Sequence, residues 1–212
     1  MGICLAIIQA GAQSSPPSPS AAVNPALPAP TAWQITQRAA NSRVWERSVP
    51  ERSPSGGIVG KKHTFTELGT GICYQDATTG QWLDAQEQIS LQPDGSATAT
   101  SGRHQVCFPA DIYNGVIQVV TPDGQHLKSR PIGLSFDDGQ HTVLLAELTH
   151  SVGQLVGANQ VVYPNCFTGL KADLLFTYSK AGLEQDIVLR QRPPSASSWG
   201  LNSQTARLQV LT

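Results

Sequence analysis

The sequence predicts an all-β chain, an antiparallel β-sandwich built from consecutive hairpins, and two observations carry that prediction. Tripeptides that favour tight turns recur, because proline presets φ, aspartate hydrogen-bonds the local backbone and glycine accepts a positive φ. Between these turns apolar and polar residues alternate, which is the period of a strand with one buried face. The strong turn signals are residues 93–95 and 122–124, both Pro-Asp-Gly, and 137–139, Asp-Asp-Gly; residues 78–80 and 180–182 are weaker versions.

The alternating runs define the strands in chain order. About nine to twelve runs at a spacing of roughly 8–12 residues are typical of a sandwich or barrel. The residues expected to share a face are Ile72 and Tyr74; Ile89 and Leu91; Val106 and Phe108; Ile117 and Val119; Ile132, Leu134 and Phe136; Val143 and Leu145; Val161 and Tyr163; Leu174, Phe176 and Tyr178; Ile187 and Leu189; and Leu208 and Val210.

The first twelve residues have the outline of an export signal. Residues 3–8 are apolar and residues 10–12 read Ala-Gly-Ala, as in a signal peptide approaching its cleavage site. The run is short and no Lys or Arg precedes it. We therefore interpret residues 1–12 as a truncated signal peptide, which would remove Cys4, and expect a secreted or cell-surface protein.

Residues 13–43 are expected to link this signal to the folded part. Residues 13–30 hold six Pro, four Ser and four Ala, a composition that offers no apolar period to bury and favours an extended, disordered segment. A short helix over residues 32–41, with Thr31 as its N-cap, is the one helical prediction. The sandwich is expected over residues 44–212, and its last strand, residues 207–212, has no turn after it, which suggests the N-terminal portion of a larger protein.

The charge balance excludes some partners. The chain of 212 residues has 14 Lys+Arg against 15 Asp+Glu, a net charge of −1, with only 14% charged residues. Nucleic acid is not an expected partner, because phosphate binding needs a basic surface. No membrane-spanning segment is expected either, since no stretch approaches about 20 apolar residues.

Cysteine and histidine spacing predicts no metal and no cofactor. The chain has no Cys-x-x-Cys, and its five His form no metal-ligand pattern. Without Cys4, three cysteines remain, and Cys73 with Cys107 is the more plausible pair if the compartment is oxidising. The alternative is that Cys73, Cys107 and Cys166 are buried small hydrophobes.

The motifs of common hydrolases are missing, so no catalytic residue is predicted and the chain is not expected to be an enzyme. Gly133-Leu134-Ser135-Phe136-Asp137 lacks the second Gly of a nucleophile elbow. Asp137 and Asp138 are expected to form a turn, and Glu184 with Asp186 to be ordinary carboxylates on a solvated strand rather than a glycosidase pair.

Exposed aromatic rings are the remaining candidates, because the flat face of a sugar stacks on them. The rings that could take this role are Trp45, Trp82, Trp199, Tyr74 and Tyr113. Trp82 is expected to pack in the core. Trp199, in a Ser-rich loop, and Tyr113 are the predicted ligand-binding candidates.

One segment resembles a known kind of protein. Residues 161–169 read Val-Val-Tyr-Pro-Asn-Cys-Phe-Thr-Gly and lead through Ala172-Asp173-Leu174 and Tyr178 to residues 184–189, Glu-Gln-Asp-Ile-Val-Leu. This order, about 30 residues around 161–190, resembles the N-terminal β-rich module of large secreted bacterial surface proteins of the RHS-repeat kind. The resemblance implies consecutive strands and transfers no site; the repeat array itself is missing.

These observations predict a non-catalytic structural or binding module of an exported or cell-surface bacterial protein. The alternative is a carbohydrate-binding or carbohydrate-processing domain. The partners expected are other domains of a larger surface protein or a glycan, and an exposed row of aromatics would favour the glycan.

Overall fold

The computed structural model describes residues 26–212, and the expected signal peptide and the first part of the expected linker, residues 13–25, lie outside these residues. The described part is all-β, as predicted. Its one 3₁₀ helix is Ala196–Trp199. The strands are β1 (Gln34–Ala39), β2 (Ser42–Arg52), β3 (Ile58–Leu68), β4 (Cys73–Gln75), β5 (Trp82–Asp84), β6 (Ser90–Leu91), β7 (Ala97–Ala99), β8 (Gln105–Phe108), β9 (Ile117–Val120), β10 (His126–Ser129), β11 (Gly133–Asp137), β12 (Thr142–Glu147), β13 (Gln154–Val156), β14 (Gln160–Tyr163), β15 (Ala172–Ser179), β16 (Gly182–Leu189) and β17 (Arg207–Leu211).

The strands form antiparallel sheets in which chain neighbours are mostly sheet neighbours. A three-stranded sheet has the order β1-β2-β3, and β4 pairs with β5. The other sheets have the orders β10-β9-β8-β7-β6, β12-β11-β17 and β13-β14-β15-β16. We call β1–β3 the arm, and strands β6–β17 the sandwich.

All five predicted turn signals connect paired strands. The turns join β4 to β5, β6 to β7, β9 to β10, β11 to β12 and β15 to β16. In the β6–β7 turn, Asp94 accepts the backbone N–H of Ser96 at 2.9 Å, and Gly95 has φ 83°. Local chemistry therefore suffices to fix these hairpins.

The core lies in the sandwich, between the five-stranded and four-stranded sheets. Phe108 of β8 and Phe176 of β15 face each other with ring centroids 5.7 Å apart, and Tyr163 of β14 meets Phe176 edge-on at 6.2 Å. The predicted alternation on β15 is confirmed, since Leu174, Phe176 and Tyr178 are all buried. Residues from β11, β12 and their connecting loops complete the same cluster.

Residues 161–190 contain a turn held by the buried Asp173, whose ion-pair partner Arg190 is exposed. Asn165 has φ 48°, and its N–H is accepted by Asp173 at 2.8 Å. Asp173, which is buried, also accepts from Arg190 Nε at 2.6 Å. These contacts hold the turn, and the resemblance to RHS-repeat proteins stays a prediction.

The helix predicted over residues 32–41 is wrong, because strand β1 (Gln34–Ala39) occupies this stretch. Ile35 lies opposite Trp45 in the β1–β2 pairing, which gives its side chain an apolar neighbour that no helical turn supplied. Thr31, the expected cap, instead donates its N–H to the Ser48 carbonyl at 3.0 Å. The sheet thus begins ten residues before position 44.

The arm contains no buried residue. Its β2–β3 ladder pairs eleven residues on each strand, which corresponds to roughly 36 Å of strand. Phe65 packs edge-on against Trp33 at 4.7 Å and parallel to Trp45 at 6.0 Å, while the Arg47 guanidinium lies 4.6 Å from the Trp33 ring centroid. The arm therefore stabilises itself with one small aromatic cluster.

An ionic contact ties the arm to the β4–β5 hairpin. Asp84 of β5 meets Arg38 Nε at 3.0 Å and Arg43 at 3.5 Å. Backbone bonds add to it, since Cys73 donates its N–H to the Ala40 carbonyl at 3.3 Å.

Candidate functional site

The two predicted ligand-binding residues are exposed but do not share a site. Trp199 is 45% exposed at the end of the 3₁₀ helix, and Tyr113 is 46% exposed. The Tyr113 ring packs on His150 with centroids 4.4 Å apart, and His150 Nδ1 lies 2.7 Å from Asp111. Tyr113 lines a cleft of about 250 Å³ with Arg130 and other residues, and Trp199 is not among them.

Trp45 is not available as a platform. Its ring packs on Phe65 in the arm's aromatic cluster, and its Nε1 donates to Glu67 at 2.8 Å. Both the ring and the polar end of this side chain thus have structural partners.

The expected core position of Trp82 is wrong, because its side chain is 37% exposed. Trp82 lies on β5, opposite Gln75 in a sheet of only two strands, so no second sheet covers it. Within residues 26–212 its side chain makes no ring contact and no hydrogen bond. It is therefore a large aromatic ring left free at the surface.

Trp82 lines a cleft of about 400 Å³, which we call the Trp82 cleft. The β4–β5 hairpin supplies one wall, the loop before β8 a second, and the β9–β10 turn a third. Sequence reasoning weighed Tyr74 and Trp82 separately, and only the fold brings both to one place. The lining residues are Tyr74, Gln75, Ala77, Trp82, Gly102, Arg103, Gln105, Val120, Thr121, Pro122 and Gly124.

Two of these walls are held by short-range hydrogen bonds. Asp76 accepts the backbone N–H groups of Thr78 and Thr79 at 3.1 and 2.8 Å, and these bonds with the Thr79 hydroxyl hold its pKa below the usual range. In the β9–β10 turn the Thr121 hydroxyl donates to Asp123, which lowers the pKa of that carboxyl. Both walls are thus ordered before any ligand arrives, which reduces the entropy that binding would cost.

The third wall is anchored to the core. Tyr178 donates its hydroxyl to the His104 carbonyl at 2.8 Å, and burial raises the pKa of this phenol. Gly102 leaves room for that hydroxyl, since a Cβ at this position would clash with it. The loop that carries Arg103 therefore has a fixed course.

Arg103 is the one charged residue that lines the cleft. It is half-buried, and among residues 26–212 no carboxylate pairs with it and no hydrogen bond engages its guanidinium. The amides of Gln75 and Gln105 lie in the same lining. The cleft thus combines free aromatic surface, amide groups and an unpaired cation.

A second cleft has a different chemistry. A groove of about 360 Å³ runs between the edge strands β10 and β16, and Ile117, Val119, Leu127, Phe176 and Leu183 give it an apolar lining. Phe176 belongs to the core itself. The groove is therefore an incompletely closed edge of the sandwich.

The Cys73–Cys107 bridge weighed as one possibility is not formed. All three described cysteines are free thiols. Cys73 faces Asp84 across the β4–β5 hairpin at 3.7 Å, whereas Cys107 lies on β8 between the buried Val106 and Phe108 and so faces the opposite side of that sheet. Burial raises the pKa of the Cys166 thiol to about 12.

The carboxylates weighed for catalysis lie where structure explains them. Glu184 and Asp186 are exposed on β16. Asp138 accepts the backbone N–H groups of Asn202, Gln140 and His141, and these bonds lower its pKa to about 2. Between residues 26 and 212 no cluster of three potential metal ligands occurs, and no described helix could cross a membrane.

Comparison of the chain with family models, with curated proteins and with solved structures finds no match. The function therefore has to be argued from the residues themselves.

Proposed function

We propose that this chain is a non-catalytic binding module of an exported or cell-surface bacterial protein, and that it holds a glycan in the Trp82 cleft. The observation that carries the proposal is Trp82 itself, which is 37% exposed over a cleft with ordered walls. An exposed aromatic ring costs free energy in water unless a ligand covers it.

Stacking on an aromatic face suits a saccharide, since one side of a pyranose ring presents C–H groups. The neighbouring Gln105 amide can both donate to and accept from hydroxyl groups. The Gln75 amide nitrogen donates one N–H to the Gly80 carbonyl at 2.8 Å, which leaves its oxygen and its second N–H for a ligand. Export and a bacterial source rest on the outline of residues 1–12 and on the resemblance around residues 161–190, and both stay predictions.

A second candidate is a structural module that docks other domains of a larger surface protein. The arm favours it, because β1–β3 have no buried residue and leave Ile58, Val59 and Leu68 exposed. Arms of this kind bury apolar surface when a partner covers them.

Affinity electrophoresis through gels that contain neutral or acidic polysaccharides tests the proposal. We expect at least one polysaccharide to retard the wild-type chain, and Trp82→Ala to abolish the retardation. Trp199→Ala, which removes a tryptophan that is more exposed than Trp82 and lies outside the cleft, should leave it unchanged.

Two results would count against the proposal. Equal loss in Trp82→Ala and Trp199→Ala would show that the cleft is not the site. Release of new reducing ends from the retained polysaccharide would show that the module processes glycans instead of only binding them.

A further inference from the structure

The charge of the Trp82 cleft indicates the charge of the ligand that it binds. Arg103 is half-buried within a lining that contains no other charged residue. Burying a cation costs free energy unless an anion pairs with it, and among residues 26–212 no carboxylate pairs with Arg103. An anionic group on a ligand in the cleft would supply such a partner.

The two carboxylates that are sequence neighbours of lining residues already accept hydrogen bonds within their own turns. Asp76 and Asp123 flank the lining, but Asp76 is bound by its own turn's N–H groups and Asp123 by the Thr121 hydroxyl. Neither is positioned as a partner of Arg103. Both carboxylates stay ionised, but neither lines the cleft, so the Arg103 guanidinium is the charged group of the lining itself.

A guanidinium is a specific tool for anion recognition. Its planar fork matches the two oxygens of a carboxylate or sulfate group, whereas hydroxyl groups alone give it weaker hydrogen bonds. The cleft of about 400 Å³ lies at the low end of small-molecule sites, which suits a short saccharide segment rather than a folded partner.

Resting on the function proposed above, we infer that the Trp82 cleft selects an anionic saccharide. A sugar ring stacks on Trp82, and a carboxylate or sulfate substituent binds the Arg103 guanidinium. The amides of Gln75 and Gln105 bind ring hydroxyls.

Titration calorimetry with three size-matched tetrasaccharides tests this inference: tetragalacturonate, its carboxyl-reduced neutral form, and a sulfated neutral form. We expect an anionic form to bind at least about tenfold more tightly than the neutral one at low salt, with the difference shrinking at high salt. Preference for one anion over the other identifies the acidic group.

Variants separate the charge from the ring. Arg103→Gln should abolish the preference while retaining the neutral affinity, and Arg103→Lys should restore only part of it, because the charge remains but the fork is lost. Arg192→Gln, at an exposed arginine outside the cleft, should change nothing. Since Arg103 has no partner in the described structure, its variants should keep the wild-type melting temperature.

Failures of the two proposals are distinguishable. Equal binding of neutral and anionic forms, unchanged by Arg103→Gln, would overturn the anion selectivity and leave glycan binding standing. Equal binding of an oligoglutamate of the same charge would overturn the saccharide requirement. No binding of any tetrasaccharide would overturn both.

Discussion

The arm and the sandwich are both antiparallel sheets, yet different interactions hold them. Rings of Phe108, Tyr163 and Phe176 meet across two sheets in the sandwich, and all three are buried. The arm has the longest ladder in the described chain, eleven pairs between β2 and β3, and no buried residue.

The difference shows that the length of a β-ladder does not indicate how stable a sheet is. Backbone hydrogen bonds contribute little net free energy when water competes for the same groups, so a long two-sided sheet depends on its side chains. In the arm these are the aromatic cluster around Phe65 and surface ion pairs such as Lys61–Glu51 at 3.2 Å, which contribute at most about 1 kcal/mol each.

The largest expected effect compares one substitution in the two regions. Phe176→Ala removes a ring that is 1% exposed and should cost roughly 3–5 kcal/mol of unfolding free energy, because a cavity remains. Phe65→Ala removes a ring that is 45% exposed and should cost about 1 kcal/mol, mainly in ring contacts. Urea denaturation of both variants measures the two values.

Where Phe176→Ala fails to fold, Phe176→Leu provides a milder test, with an expected cost of about 1.5 kcal/mol. Hydrogen exchange adds the spatial information, since Phe65→Ala should accelerate exchange in the arm alone. Equal costs at the two positions would mean that the arm and the sandwich unfold as one unit held by the same interactions.

An intermediate effect is expected at Gly102. Gly102→Ala places a methyl group against the Tyr178 hydroxyl and should destabilise the chain by about 1–3 kcal/mol through overpacking. Tyr178→Phe alone loses the bond to the His104 carbonyl, about 1 kcal/mol. The double variant should be less destabilised than the sum of the two single variants, because removing the hydroxyl relieves the clash; additive costs would show that the clash is absent.

The smallest expected effect is the loss, at low pH, of the ionic contact that ties the arm to the β4–β5 hairpin. The Arg38 guanidinium holds the pKa of Asp84 below its usual range, so this contact stabilises the arm above the unfolded-state pKa near 3.9 and is lost as pH falls through the lower folded-state value. After correction for the pH dependence of the intrinsic exchange rate, hydrogen exchange should therefore show more frequent opening of β1–β3 below about pH 4 while the sandwich core stays protected.

Asp84→Asn should remove most of that pH dependence and cost less than about 1 kcal/mol at neutral pH, because Asp84 is solvent-accessible. Asp94→Asn, a change within the distant β6–β7 turn, provides the control. An arm whose exchange in Asp84→Asn still follows pH as in the wild type would place the acid-sensitive contact elsewhere.

The hairpins were predictable because their signals are local. A Pro-Asp-Gly turn needs no distant residue, and the alternation of Leu174, Phe176 and Tyr178 on one strand already states which face is buried. Because the apolar face of each strand must be covered, a second sheet packed against it was also predictable.

The arm and the Trp82 cleft were not predictable, because both depend on contacts between distant segments. Ile35 is extended because Trp45 on β2 lies beside it, and residues 32–41 alone show no such neighbour. Trp82 is exposed because its sheet has two strands, which its own sequence does not reveal. Trp82 and Arg103 line the same cleft only because the fold brings their segments together.

The free thiols provide a built-in reporter of the opening of each region. Alkylating reagents attack the thiolate, and with a pKa of about 12 only roughly one Cys166 side chain in ten thousand is ionised at pH 8. Cys73 is equally buried at the base of the arm, and burial raises the pKa of its thiol as well. The rate of Cys73 alkylation should therefore report the release of the arm from its base, and the rate of Cys166 alkylation should report the opening of the sandwich. The two events can be followed separately in the wild-type chain.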